Sequence, residues 1–149
     1  MTTYTKEVGD KLNALLEKNY DAEKGYKKAA ENTDHNALKR FFNKKAEERY
    51  NFGHQLKSEI RSFGQEVDKG GSATGTAHRA WMDVKALFSM DNEESMLEEA
   101  IRGEKASVEE YNDVLNETAL PVSTRDLVLQ QKNTISQELQ SIKKLEDLQ

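Results

Sequence analysis

Asn19, Arg49, Glu104 and Glu138 are the residues best placed to do chemistry, because each interrupts the middle of an otherwise apolar stripe. Carboxylates carried into an apolar interior need a metal ion or an organic cation beside them, since an isolated buried charge is prohibitively costly. A guanidinium supplies that cation itself. It is charged at every accessible pH, donates five N–H bonds and ligates no metal. The four residues therefore specify a metal cage or an internal ion-pair network. Glu23 and Lys45, one turn along the first two stripes, form a second polar layer.

The stripes in turn identify the elements that carry these side chains. With alternating steps of four and three residues, one segment presents Leu12, Leu16, Asn19, Glu23, Tyr26 and Ala30, and the next Leu38, Phe42, Lys45, Arg49, Phe52 and Leu56. That spacing keeps side chains on one face of a helix. Two further segments offer Leu97, Ile101, Glu104, Val108, Tyr111 and Leu115, then Val128, Gln131, Ile135, Glu138, Ile142 and Leu145. Helices are expected over about 5–31, 36–67, 91–118 and 123–148, with a short one over about 77–89. Their boundaries have local causes. Asn32-Thr33-Asp34-His35-Asn36 favours turns and caps, Gly70, Gly71 and Gly75 mark a loop, and Asp91 with Glu94 has capping-box spacing. Pro121 breaks the chain between the last two helices.

Residue numbers in facing layers of an antiparallel hairpin add to a constant, a rule that the first pair of stripes obeys and the second follows to within one residue. The first hairpin then sets Leu12 against Leu56, Leu16 against Phe52, Asn19 against Arg49, Glu23 against Lys45, and Tyr26 against Phe42. The second sets Glu104 against Glu138, between apolar Ile101/Ile142 and Val108/Ile135 layers. Two hairpins with apolar seams bury them against each other, giving an all-α, antiparallel four-helix bundle with one long crossover. The whole of 1–149 forms one domain.

Composition narrows the function classes. A net charge of -5 gives no basic footprint for nucleic acid. Cysteine is absent, which removes disulfide and thiolate chemistry. No apolar run is long enough to span a bilayer, and MTTYTKEVGDKLN lacks a signal-peptide core, so a cytoplasmic protein without membrane or nucleic-acid partners is expected.

Tyr26 near the end of the first helix, then Phe41-Phe42-Asn43-Lys44-Lys45-Ala46-Glu47-Glu48-Arg49 after a short turn, resembles the first half of ferritins and rubrerythrins. Glu104 followed by Tyr111 repeats the pattern. With the HRAWMDVK and RGEKASVEEY stretches, the chain is most similar to a bacterial ferritin-like family of unknown function, the domain of unknown function 2383 type. The resemblance runs from about Leu12 to Leu145 and implies a ferritin-like bundle. Ferritin-like metalloproteins hold two irons with a Glu from each of two helices and a Glu-x-x-His pair from each of the others. Carried over by position, those ligands become Asn19, Arg49 with Phe52, Glu104, and Glu138 with Ser141. Only Glu104 and Glu138 match, and no histidine remains.

These residues lead to a structural expectation: Arg49 bridges Glu104 and Glu138, Asn19 completes the hydrogen bonds, and no metal or other cofactor is needed. His54 falls off the seam and faces solvent, while His35 serves the first turn. His78, Trp81, Met82 and Lys85 share one face of the crossover segment, where His78 and Trp81 offer a separate candidate site and Trp81 alternatively plugs the bundle. Two function classes follow. One is a non-enzymatic, homo-oligomeric structural or interaction protein, with a stress-associated role implied by resemblance. The other is an iron- or manganese-binding protein with redox or storage activity, using Glu104 and Glu138.

Overall fold

The computed structural model describes residues 2–67, 93–116, 120–143 and 145–148. Four α-helices carry the architecture among them: α1 (Thr2–Glu31), α2 (Asn36–Ser62), α3 (Glu93–Leu115) and α4 (Val122–Ser141). A 3-10 turn at Leu145–Leu148 follows. The expected crossover helix at 77–89, with His78 and Trp81, and the cap at Asp91 lie outside the described residues.

The stripes become the core. Tyr26, Ala30, Leu38, Phe42, Leu97 and Ala100 pack together at one end of the bundle. Leu12, Leu16, Leu56, Ile60, Tyr111, Val128 and Ile135 pack together at the other. The start of α2 thus meets the start of α3, and the end of α2 meets the end of α3, so these two helices run in the same direction. Helices α1 and α4 run the opposite way. The chain leaves α2 at one end of the bundle and re-enters at the other, which is the long-crossover topology. Beyond the two hairpins, α1 lies against α3 and α2 against α4.

Local chemistry sets the helix ends. In the first turn, the Leu38 backbone N–H donates to His35 Nδ1 at 3.1 Å, making His35 the N-cap of α2. At the other end, α2 stops at Ser62, five residues short of the expected limit at 67. Gly64 adopts φ 71°, its N–H reaches Arg61 O at 2.9 Å, and Gln65 N–H reaches Ile60 O at 3.3 Å. This double closure is a Schellman cap, and the left-handed residue at its centre is the one that glycine favours. Helix α4 likewise ends at Ser141 rather than 148. Ile142 is extended, and the next backbone N–H, from Lys143, donates to the Asp147 side chain at 2.9 Å instead of continuing the helix.

Polar clasps tie the hairpins together at the end that holds Ile60. Glu59 on α2 accepts from Ser123 Oγ at 2.9 Å and Thr124 Oγ1 at 2.7 Å on α4. Within the first hairpin, Asn13 on α1 donates to Glu66 O at 2.9 Å. No described helix is long and apolar enough to cross a membrane.

Candidate functional site

Between the two apolar clusters lies a band of buried polar side chains contributed by all four helices: Asn19, Lys45, Arg49, Glu104, Ser107 and Gln131. The apolar layers on either side of it explain why such groups are drawn inside. Each helix must bury its stripe, and a polar residue on that stripe goes with it.

Arg49 organises one half. Its guanidinium donates to Asn19 Oδ1 at 3.0 Å, to Ser107 Oγ at 3.1 Å and to the Glu104 carboxylate. Asn19 is itself oriented, because its amide donates back to Leu15 O at 2.9 Å and across to the Tyr111 hydroxyl at 3.0 Å. Tyr111 passes the chain on by donating to Gln131 Oε1 at 2.7 Å. The Gln131 amide ends it on Phe52 O at 3.2 Å and Gln55 Oε1 at 2.9 Å. Burial pushes the Tyr111 phenol up to about 12, so it stays a neutral relay.

Lys45, one turn earlier on α2, organises the other half. Its ammonium contacts Glu48 at 2.8 Å, Glu104 at 2.5 Å, and Glu138. These three carboxylates each bring an oxygen within 4.8 Å of the others. Burial disfavours the Lys45 charge, but Glu104 and Glu48 more than offset it, and the amine is raised above its ordinary value. Glu104 shows the complementary balance: burial opposes its ionisation, and Arg49 and Lys45 overcome that to hold it below the usual carboxylate range. Glu48 goes the other way. Burial raises it to about 7, Lys45 works against that rise, and a hydrogen bond with Glu138 adds to it. Glu48 is therefore the carboxyl that holds a proton as pH falls below about 7. Burial and the neighbouring Glu104 charge hold the Tyr26 phenol well above its ordinary value.

The arrangement corrects two expectations. Arg49 reaches Glu104 but not Glu138, which pairs with Lys45. Glu23 does not face Lys45; it pairs with Lys27 one turn along its own helix at 2.8 Å. Layer arithmetic places Cβ atoms, whereas the long Lys45 stem carries its charge across the seam to α3 and α4. Glu48, Ser107 and Gln131 belong to the band without having been singled out as site residues, and so do Tyr26 and Tyr111, which entered through the family pattern. The i,i+3 spacing of Lys45 and Glu48 was the available signal for the first.

The residues do not fit a two-metal centre. Where histidine ligands would stand, Phe52 packs in an apolar cluster and the Ser141 hydroxyl donates to Gln137 O at 3.1 Å. His54 is exposed, with its ring edge-on to Tyr50 at 4.6 Å, and His35 is a helix cap. An ion placed among the carboxylates would meet the Lys45 ammonium. As it stands, the band pairs its buried charges with one another across α2, α3 and α4.

A model of a family described as a domain of unknown function (DUF2383) matches residues 7–117, which take in most of α1 and all of α2 and α3. No curated protein matches the chain.

Proposed function

The chain belongs to the DUF2383 family, and from that premise we propose a non-enzymatic, ferritin-like bundle that acts as an oligomeric structural or interaction protein. The observation that carries this reading is the presence of two buried cations, Lys45 and Arg49, among the carboxylates where a ferritin-like protein would place its metals. A bacterial, cytoplasmic, stress-associated protein without cofactor, nucleic-acid or membrane partner completes the proposal. Assembly with further copies draws support from the outer face of α4. There, Leu129 is exposed beside Asp126 and the uncharged Gln130, Asn133, Thr134 and Gln137. Cores of interfaces are depleted in charge in the same way.

One observation favours a second reading, iron or manganese binding with redox or storage activity: the close approach of Glu48, Glu104 and Glu138. Elemental analysis of protein purified without chelators separates the two. The first reading expects no stoichiometric iron or manganese; metal that disappears in Glu104→Ala would overturn it. Light scattering tests the assembly, with a multimer expected for the native chain and a smaller species for Leu129→Glu.

A further inference from the structure

Resting on the reading of a bundle whose metal centre has been given up, the position of one side chain carries a more specific conclusion. The Lys45 ammonium is 3% exposed and contacts oxygens of three carboxylates that come from three different helices or turns of the core. Glu48 shares its helix, Glu104 comes from α3 and Glu138 from α4. An ammonium has three N–H groups and no acceptor, so it matches three carboxylates one for one. Three carboxylate oxygens converging on one point also make the beginning of a site for a hard divalent cation, which takes oxygen ligands. We infer that Lys45 is a tethered substitute for a divalent ion: its ammonium fills the position among Glu48, Glu104 and Glu138 that such an ion would take, leaving a latent cation site closed by the chain's own side chain.

Charge and access agree with this assignment. With Glu48 protonated, the carboxyls facing Lys45 and Arg49 balance the two cations, and removing the Lys45 charge together with the Glu48 proton leaves two net negative charges, the complement of a divalent ion. The site also has a route to solvent, because the Glu48 and Glu138 side chains are 15% and 29% exposed while Lys45 and Glu104 lie beneath them. Arg49 is not equivalent to Lys45. Besides Glu104 it donates to Asn19 and Ser107, which are neutral. An all-oxygen donor set selects Mn2+, Mg2+ or Ca2+ rather than a thiolate- or imidazole-seeking metal.

The experiment titrates Mn2+, read by electron paramagnetic resonance and calorimetry, into the native chain, Lys45→Met, Lys45→Gln and the double variant Lys45→Met/Glu138→Gln. Native protein is expected to bind no Mn2+ at the cluster. Lys45→Met is expected to bind one ion per chain at least about 100-fold more tightly than native protein. The double variant loses at least about tenfold of that affinity. The melting temperature of Lys45→Met should rise with Mn2+ concentration, as ligand linkage requires, while that of native protein stays constant. If Lys45→Met does not fold alone, Mn2+ should restore its helical circular dichroism, and Lys45→Gln gives the same reading with a polar side chain. A folded Lys45→Met or Lys45→Gln without a Mn2+ site overturns the inference, as does failure of Mn2+ to rescue both when unfolded. Stoichiometric metal in native protein purified without chelators instead overturns the reading beneath it, so the two failures are distinguishable.

Discussion

Arg49 and Lys45 stand one helical turn apart on α2 and share Glu104, yet their surroundings differ. Around Arg49 the remaining named partners are neutral amides and hydroxyls, and the Arg49 side chain is fully buried. Around Lys45 the partners are carboxylates, two of which reach toward solvent. The Arg49 side chain is sealed from solvent, which makes its half the dry one, whereas the Lys45 half, with two partly exposed carboxylates, is the wet one. The difference teaches where the bundle is rigid and where its chemistry remains adjustable.

Glu104 joins the halves, so removing it is the severest way to break the comparison. Glu104→Ala leaves both buried cations without their common partner and should lower unfolding stability by about 3–5 kcal/mol in urea titrations. Glu138→Ala, at the wet edge, should cost about 1 kcal/mol or less, as expected for a partly exposed pair. Equal losses from the two variants would show that the halves are not distinct.

The pH dependence sharpens the contrast, because the two carboxylates are shifted in opposite directions. Glu104 is lowered in the fold, so its contribution is present above the ordinary carboxylate value and lost as pH falls through its folded value. Glu48 is raised from 4.5 to about 7, so its contribution is complete below 4.5 and lost as pH rises toward and through 7. Stability should peak near about pH 5 and decline toward pH 8 by at most about 3 kcal/mol, at roughly 1.4 kcal/mol per pKa unit. Glu48→Gln should flatten the decline above pH 5 and leave the acid limb intact in denaturation curves across pH. Loss of the acid limb instead would assign the titration to the dry half.

Much of this organisation is legible in the sequence, and the illegible part has a physical reason. Periodicity marks which residues lie on a seam, so Asn19, Arg49 and Glu104 emerge as buried, and the hairpin arithmetic correctly pairs Asn19 with Arg49. It does not say where the end of a flexible side chain goes. Lys45 illustrates this: its Cβ shares a layer with Glu23, while its ammonium lies with Glu48, Glu104 and Glu138. Tyr26, Tyr111 and Gln131 stand on the same stripes, but an aromatic ring counts as apolar in a periodicity reading, and its hydroxyl finds partners only once four helices are assembled. The end of α2 was misplaced because a single Gly64 in the left-handed conformation outweighs a continuing helical pattern.

Within the dry half, the Tyr111 hydroxyl provides a smaller probe. It accepts from Asn19 and donates to Gln131, so Tyr111→Phe leaves both amides short of a buried partner. A loss of about 1–3 kcal/mol is expected, with near-ultraviolet circular dichroism reporting any change in packing. A loss below about 0.5 kcal/mol would mean that water replaces the hydroxyl, and the Arg49 half would not be dry.

The smallest effect belongs to Glu23. Its partner Lys27 is 62% exposed, and the pair spans one turn of α1 outside the buried band. An exposed i,i+4 pair contributes little because water screens it and both long side chains lose freedom on pairing. Lys27→Ala and Glu23→Gln should therefore each change stability by no more than about 0.5 kcal/mol in urea titrations, and the effect should fall further in high salt. A larger loss from Glu23→Gln than from Lys27→Ala would place the carboxylate in contact with the Lys45 cluster rather than with Lys27. The wet half would then extend onto α1, and its boundary with the Arg49 network would no longer follow the division between charged and neutral partners.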